Sequence, residues 1–597
     1  MRHRGRRTCR DTQGGGRRTG GTGRVARPRV ARAVGLGLAA ALALPFQVAV
    51  PAAAVPAAAA PAAASAVTAV PVAAATAAKK KAKKKLPAGP KVRAIPGRTT
   101  ASLRWNATKG AKRYLVELTT ASTFGTGTTR RITTRSTTIR VTGLRKSTSY
   151  KIRVTADRGV RTRPSRTITT RTSSAAATQV VTRVAPVGSS SVRVSWSRPA
   201  RATSVSVVLA PTAAELNDSE VRVKINGISA WTSSRVVKIP APLRTRIGPT
   251  SGNPVYARVT AYNSEHSWTH SGTVTTYLRS PAVHGTQADR TKVATYNVQL
   301  PSITRNITGR RWEDRRHAVA RAIARGRPDV VGLQETDMSF VEPGVRQYQD
   351  VERLVAPYWY AWATTHEQID EVRARDPRRS LGAHIVYRTS TTELLDSGLV
   401  SLRDAAAAYD PKVAWVDGDG KPDPDRYATW ALFRDRDSGR EFYAASAHLK
   451  NGETPDVKAL RKVSAGGLDL FLWRLARSQG RPTAPIVVLA DLNSDNGRHP
   501  EGAHEHFIAK GYASGASAPV RKNLKVATVN SRSLGYPSRP TVATHAGMRI
   551  DHVLVRRGGG VARYENQVVL TPSGTFDERY RGSDHNLQLA EISLAPR

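Results

Sequence analysis

Apolar and polar residues alternate with a period of two through much of the first half of the chain. The clearest stretches are Thr100-Ala-Ser-Leu-Arg-Trp105, Arg113-Tyr-Leu-Val-Glu-Leu118 and Ser149-Tyr-Lys-Ile-Arg-Val-Thr-Ala156. Such alternation predicts strands with one buried face, and the turn residues between them, without helical spacing, predict an all-β unit over residues 89–173. Trp105 is expected to fill the core between two sheets, and Tyr150 to bond back to backbone at a corner. Residues 180–279 repeat the pattern: Val192-Arg-Val-Ser-Trp196 matches the early strand, and Ala257-Arg-Val-Thr-Ala261 echoes Ile152-Arg-Val-Thr-Ala156. The second copy is more divergent, because Val255 stands where Tyr150 stands in the first.

From residue 290 to residue 597 the pattern changes. Apolar runs such as Asp329-Val-Val-Gly-Leu-Gln334, Phe442-Tyr-Ala-Ala-Ser-Ala-His448 and Ile486-Val-Val-Leu-Ala490 alternate with segments of helical spacing at Trp312–Arg325 and Val457–Ser478. Strands that are apolar on both faces belong to sheets covered by other layers, so this half is predicted to be α/β. Tyr358-Trp-Tyr-Ala-Trp362 is predicted as a strand entering the core, and Arg461 as a solvated helix residue.

The start of the chain has neither pattern. Residues 1–32 are basic, the run Val34–Leu44 is apolar, and Pro51-Ala-Ala-Ala54 supplies small residues, which together predict a secretory signal peptide over residues 1–54. Pro45 and Gln47 break the apolar run too early for a membrane span, so no stable span is expected after cleavage. Residues 55–88, rich in Ala and Pro and containing Lys79-Lys-Lys-Ala-Lys-Lys-Lys85, read as a linker. The chain carries a net charge of +50, concentrated before the α/β half: residues 1–288 hold 49 Lys and Arg against 7 Asp and Glu. A polyanionic partner is therefore expected, either nucleic acid or an anionic cell-wall polymer. Cys9 is the only cysteine and lies in the signal segment, which excludes disulfide and thiolate-metal chemistry from the mature protein.

The α/β half places polar groups at or just past its strand ends, in the order Thr295-Tyr-Asn297, Gln334-Glu335, His448-Leu449, Asp491-Leu-Asn493, Arg549-Ile-Asp551 and Ser583-Asp584-His585. Strand ends are where an open α/β sheet presents a site. Carboxylates, amides and imidazoles together suit phosphate-ester cleavage, which needs a hard cation, a base and donors to phosphate oxygens. The ordered set resembles the endonuclease/exonuclease/phosphatase superfamily over roughly residues 290–595, and residues 89–173 resemble a fibronectin type III domain. The resemblance implies two immunoglobulin-like sandwiches followed by a four-layer α/β/β/α sandwich. It implies that Glu335 binds a divalent cation, Mg²⁺ with Mn²⁺ or Ca²⁺ as alternatives, with Asn297 and Asp584 at the metal. It further implies that Asn493 and His448 contact phosphate, and that Asp491 orients or deprotonates water or holds the leaving group's proton. His585, paired with Asp551, would act as base or cationic clamp. His552 is expected to face away from the site. The sequence departs from the family pattern at Ala490, where Gly is usual, and at Ser446-Ala447, where Asn-Thr is usual.

The resemblance fixes the bond and not the molecule. An extracellular nuclease, secreted and held near the cell wall, fits the basic flank. A sphingomyelinase or phospholipase C-like enzyme would need an exposed apolar hairpin. An inositol-phosphate phosphatase would need a dense basic pocket, for which Arg373, Arg375, Arg378 and Arg379 are candidates. The alternative class is a cell-wall or polysaccharide-binding adhesion protein working through its β modules.

Overall fold

The computed structural model describes residues 88–597 except 160–162, 174–176, 179, 265–266, 302–309, 337–338, 376–381, 414, 416–424, 496–501, 531–537, 542–548 and 597. The expected signal segment and nearly all of the expected linker lie outside the described residues, as do Arg378, Arg379 and the side chain of Arg375.

The first β module pairs Val92–Pro96, Ala101–Trp105 and Thr138–Val141 in one sheet and Thr129–Thr134, Arg113–Thr119, Ser149–Asp157 and Ile168–Arg171 in another. Leu103, Trp105, Val116, Ile152 and Val154 fill the space between them. Tyr150 Oη accepts from Arg145 N at 2.8 Å, tying the turn before its strand to the strand itself. Ser149–Asp157 alternates buried and less buried positions along its length, as a sheet with one wet face must.

The second β module has a three-stranded sheet of Ser234–Lys238, Ser191–Trp196 and Thr182–Val187, and a five-stranded sheet built on Ser204–Ala210 and Val255–Ser264. Trp196 sits in its core with Val194, Val207 and Val259. Ser204–Ala210 is buried at every position, on both faces.

The α/β half holds two sheets. One runs in the order Tyr360–Trp362, His384–Arg388, Val330–Gln334, Arg290–Asn297, Gln588–Ser593, Gly560–Asn566 and Val520–Lys522. The other runs Thr392–Ser401, Tyr427–Asp435, Glu441–His448, Ile486–Asp491, Asp551–Arg556 and Ala513–Ser514. Val293, Val330 and Ile385 of the first sheet pack against Phe433, Val487 and Leu489 of the second. The outer face of the first sheet is covered by Val319 and Ile323 of the helix Trp312–Gly326 and Tyr348 and Val351 of the helix Gln347–Val355. The outer face of the second is covered by Leu468 and Leu472 of the long helix Pro455–Ser478, which opens with Thr454 as N-cap and Pro455 in its first turn. No helix among the described residues is long and apolar enough to cross a membrane.

The sheets meet closely beneath the site. A Cβ at Gly332 would lie 2.5 Å from Leu489 Cβ, so only glycine permits the approach. Gln334 spans the gap: its Nε2 donates to Ser446 Oγ and Leu489 O, both at 3.1 Å, while its Oε1 accepts from Thr295 Oγ1 at 3.1 Å. The amide nitrogen thus sets one sheet against the other, while its oxygen is fixed within its own sheet, and every polar atom of this buried group is used.

Two expectations are corrected. Ala356–Tyr358 is a turn of 3₁₀ helix, Trp359 adopts φ +70° and is 70% exposed, and only Tyr360–Trp362 forms a strand. Pro357 explains the difference, since its fixed φ favours the turn and it cannot donate to a ladder. Arg461 is fully buried and donates to Lys450 O at 2.7 Å. It braces the segment just after His448, and its carbonyl partner replaces the water that a solvated arginine would keep.

Candidate functional site

Asn297, Gln334, His448 and Asp491 end their strands, and Asp551 begins a strand that runs antiparallel to Ile486–Asp491, so all five lie at the same edge of the two sheets. The backbone there holds Gln299, just past Asn297, in the left-handed region at φ +64°, and likewise the two residues Glu335 at φ +57° and Asn493 at φ +48°. Such conformations cost about 1–3 kcal/mol each and persist where the surroundings impose them. At Glu335 and Asn493 the turn swings the side chain back toward its neighbours instead of letting the strand continue.

Asn297 lies at the centre of the first group. Its Nδ2 donates to Glu335 Oε1 at 3.0 Å and to Asp491 Oδ2 at 3.1 Å, joining the carboxylates of the two sheets. Gln299 N donates to Asn297 Oδ1 at 3.0 Å, which fixes the amide's orientation, and Leu300 N donates to Glu335 Oε2 at 2.9 Å. Asp491 Oδ1 accepts from Asn493 N at 2.9 Å, and its Oδ2 lies 3.5 Å from His448 Nε2. Asn493 Nδ2 donates to Leu449 O at 3.0 Å and lies 3.1 Å from His448 Nε2. In this arrangement Asn493 orients His448.

The second group is His585 with Asp551. His585 Nδ1 stands 2.9 and 3.0 Å from the two carboxylate oxygens, and both residues are buried. Burial alone would push the imidazole down, but the charges of Asp551, Asp584 and Asp491 outweigh it and raise His585 to about 10. The ring is therefore an imidazolium at neutral pH. Asp491 shifts the same way for a carboxylic acid: burial pushes it up, and the nearby Asp551 charge adds to that, with His448 and His585 opposing. Asp584, at the turn before the pair, has Ser583 Oγ 3.3 Å from its carboxylate.

Asp491, Asp551 and His585 each have a ligand atom within 4.8 Å of the others. This is not the ligand set that the sequence suggests, and we read it as a hydrogen-bonded pair beside a carboxylate, because His585 Nδ1 is already committed to Asp551. The Asn297 amide nitrogen draws carboxylate oxygens of Glu335 and Asp491 together, and these suit a hard divalent cation, while Asn297 Oδ1 is already taken by Gln299 N. Burial pushes the Asp491 carboxyl up, and a cation held there would favour the ionised form.

His552 faces away from the site as alternation predicts. Its Nε2 lies 3.0 Å from Ser494 O, its ring is 4.6 Å from that of His504, and burial pushes it down to about 4.

Several supporting residues were not evident from the sequence. Arg315, on the helix Trp312–Gly326, is 1% exposed and donates to Val298 O, to Gly582 O at 2.8 Å and to Gln299 O at 2.7 Å. One guanidinium thus ties the segment after Asn297 to the segment before His585. Arg426 donates to His448 O at 3.2 Å and Leu449 O at 3.3 Å. Thr528 Oγ1 accepts from Ile550 N at 3.1 Å and Asp551 N at 3.3 Å, and Thr528 O accepts from Asn586 N at 2.8 Å. An arginine in a polar helix and a lone threonine give no sequence signal that sets them apart from solvated residues. Arg426 did stand out in the sequence, with Tyr427 directly before Ala428-Thr-Trp430, although its carbonyl partners did not.

A model of the endonuclease/exonuclease/phosphatase family matches residues 294–585, and a fibronectin type III domain model matches residues 87–171. No curated protein matches the chain. Among solved structures, the chain is similar to an endonuclease/exonuclease/phosphatase from Bacteroides vulgatus at 22% identity and a TM-score of 0.36, covering 51% of this chain and 99% of that one. It is also similar to a mannosyl-6-phosphatase from Bacteroides thetaiotaomicron at 20% identity and a TM-score of 0.36, covering 51% and 99%. A segment of two fibronectin type III domains from chicken tenascin matches at 18% identity and a TM-score of 0.14, covering 32% and 98%.

Proposed function

Residues 294–585 are an endonuclease/exonuclease/phosphatase domain that follows a fibronectin type III domain, and from that premise we propose that the protein is a secreted, metal-dependent phosphodiesterase that hydrolyses nucleic acid. Its coarser activity, hydrolysis of phosphate esters, is that of its family. We read the catalytic half as the four-layer α/β/β/α sandwich and residues 180–279 as a second fibronectin type III-like module. The observation that carries the reading is the convergence of Glu335, Asn297 and Asp491 with the His585–Asp551 pair at one sheet edge.

In this reading the carboxylates of Glu335 and Asp491, drawn together by the Asn297 amide, would hold Mg²⁺, which when bound would supply positive charge to the phosphoryl oxygens. Asp491, kept ionised by a bound cation, would accept the proton of the attacking water. The imidazolium of His585, fixed by Asp551, donates to a phosphoryl oxygen as negative charge builds there. His448, oriented by Asn493, is the second donor. Attack is in line, so the chain's main contribution is positioning and charge.

Nucleic acid is favoured over lipid because of the basic flank and the place of the exposed pair Tyr358 and Trp359. Trp359 O accepts from Thr389 N, and Tyr360 Oη donates to Pro328 O, just before the start of the strand Val330–Gln334. Tyr358 and Trp359 are therefore at the end of that sheet opposite Glu335 and do not form an apolar rim for the site.

The test uses residues 55–597 with Mg²⁺ and circular double-stranded DNA, a chelator control and a parallel sphingomyelin assay. Chelator-sensitive nicking without lipid turnover is the expected result. Lipid turnover without nicking would move the protein to the phospholipase branch. Secretion is checked by finding the protein in culture medium without residues 1–54.

A further inference from the structure

The second β module reaches the strand that carries Asp551. Arg549, two residues earlier and 5% exposed, donates from Nη2 to Gly252 O at 3.0 Å and to Asn253 Oδ1 at 2.6 Å. Asn253 is fixed within its own module, where its Nδ2 donates to Arg246 O at 2.8 Å. Arg246 pairs with Glu215 at 2.8 Å inside the module and stands 3.5 Å from Glu505 of the catalytic half. Ser514 N donates across to Thr250 O at 2.8 Å. Gly252 has φ +70°, and a Cβ there would lie 2.7 Å from Ala516 Cβ, so the two backbones approach as closely as a side-chain-free residue allows.

The segment that Arg549 anchors is linked to both reacting groups. Ile550 O accepts from Leu492 N at 2.9 Å, which holds the Asp491-Leu-Asn493 turn. Ile550 N and Asp551 N donate to Thr528 Oγ1, whose own carbonyl accepts from Asn586 N beside His585. A charge-assisted bond to Arg549 therefore reaches Asp551, His585 and Asn493 through one or two backbone links each. Arg549 itself does not touch His585; it acts by fixing the backbone from which Asp551 holds the imidazole.

We propose that Asn253 is a positioning residue for hydrolysis: through Arg549 it sets Asp551 and His585, and the second β module is a working part of the catalytic site. This rests on the phosphoesterase reading, so the test carries one arm that needs no substrate. In the full chain with Mg²⁺ and DNA, Asn253→Ala is expected to lower kcat by about 10- to 50-fold with KM within about twofold. Asn253→Asp keeps an oxygen for Arg549 while losing the donor to Arg246 O, and is expected to return kcat to within about threefold of wild type. Wild-type kcat in Asn253→Ala overturns the proposal. So does an Asp variant as slow as the Ala variant, because the bond to Arg246 would then be the one that matters. If Asn253→Ala does not fold, Asn253→Ser, too short to reach Arg549, takes its place with the same expectations. The arm without substrate is amide exchange: Asn253→Ala should speed exchange at residues 549–553 and leave residues 113–119 unchanged. Unaltered exchange at 549–553 overturns the positioning role whatever the substrate, whereas a wild-type protein that cleaves no phosphodiester overturns only the phosphoesterase reading.

Discussion

The two β modules share an architecture and differ in what lies against them. In the first, Ser149–Asp157 alternates between buried and partly exposed positions, as a module with a free sheet face should. In the second, Ser204–Ala210 is buried throughout, and the loop at Gly252–Asn253 meets Arg549 of the catalytic half. The two modules therefore differ in role: the first keeps a sheet face open to solvent and charge, and the second brings a loop against the catalytic half. The burial of Ser204–Ala210 comes from within the second module, where Leu216 and Tyr256 pack with Val208 and Ala210, whereas the contact with the catalytic half is made by its loop.

The largest effects should come from the catalytic edge, which sets the scale for both modules. Glu335→Ala and His585→Ala are each expected to reduce phosphodiester cleavage by about a thousandfold or more, measured as initial rates on DNA with Mg²⁺. Activity near the wild-type rate in both variants would sink the site assignment. Next come paired lesions in the modules. Trp105→Ala, in the core of the first, should cost roughly 3–5 kcal/mol of that module's stability yet leave kcat unchanged. Gly252→Val, in the second, should cost roughly 2–4 kcal/mol through overpacking and backbone strain and should lower kcat as well. Urea melts read beside turnover separate the two, and equal effects on kcat would erase the contrast between the modules.

A third, smaller effect depends on pH. His552 is buried beside the interface with its pKa pushed down to about 4, and His504 against it is also lowered by burial. The unfolded chain binds protons at these groups that the folded chain refuses. Their contribution is thus complete above the ordinary histidine range and is lost as pH falls toward 4. For His552 alone this amounts to roughly 3 kcal/mol across that window. Urea melts at pH 7, 5.5 and 4.5 should show the loss, and His552→Asn should flatten it. The smallest effect belongs to the first module's surface. Arg93 and Arg104 are exposed and face each other directly across two strands, an unfavourable placement that a bound phosphate chain would relieve. Reversing both to Glu should lower the slope of log affinity for DNA against log salt by roughly one to two units while leaving kcat unaltered. An unchanged slope would remove this face from the binding surface.

The parts of this arrangement that were legible in sequence are those where local pattern and position coincide. Apolar runs that stop at Asn297, Gln334 or Asp491 announce both a strand and its polar end, so the edge of the site could be read directly. Tyr358–Trp362 misled because aromatic residues carry β propensity, whereas Pro357 decides the backbone before propensity acts. Arg315 and Arg461 were hidden for another reason. An arginine in a helix reads as solvated, and only the fold brings carbonyl groups from distant segments to its guanidinium. The bond between Arg549 and Asn253 joins residues nearly 300 positions apart across two structural units, and no local pattern encodes it.

The strand Gln588–Ser593 lies inside its sheet, between Arg290–Asn297 and Gly560–Asn566, and Arg315 waits for the carbonyl of Gly582 just before it. During synthesis every other strand of that sheet leaves the ribosome first, with a gap where this one belongs. Because the segment just before it bears His585, the edge that gathers the site is complete only after every other strand of the sheet has been made.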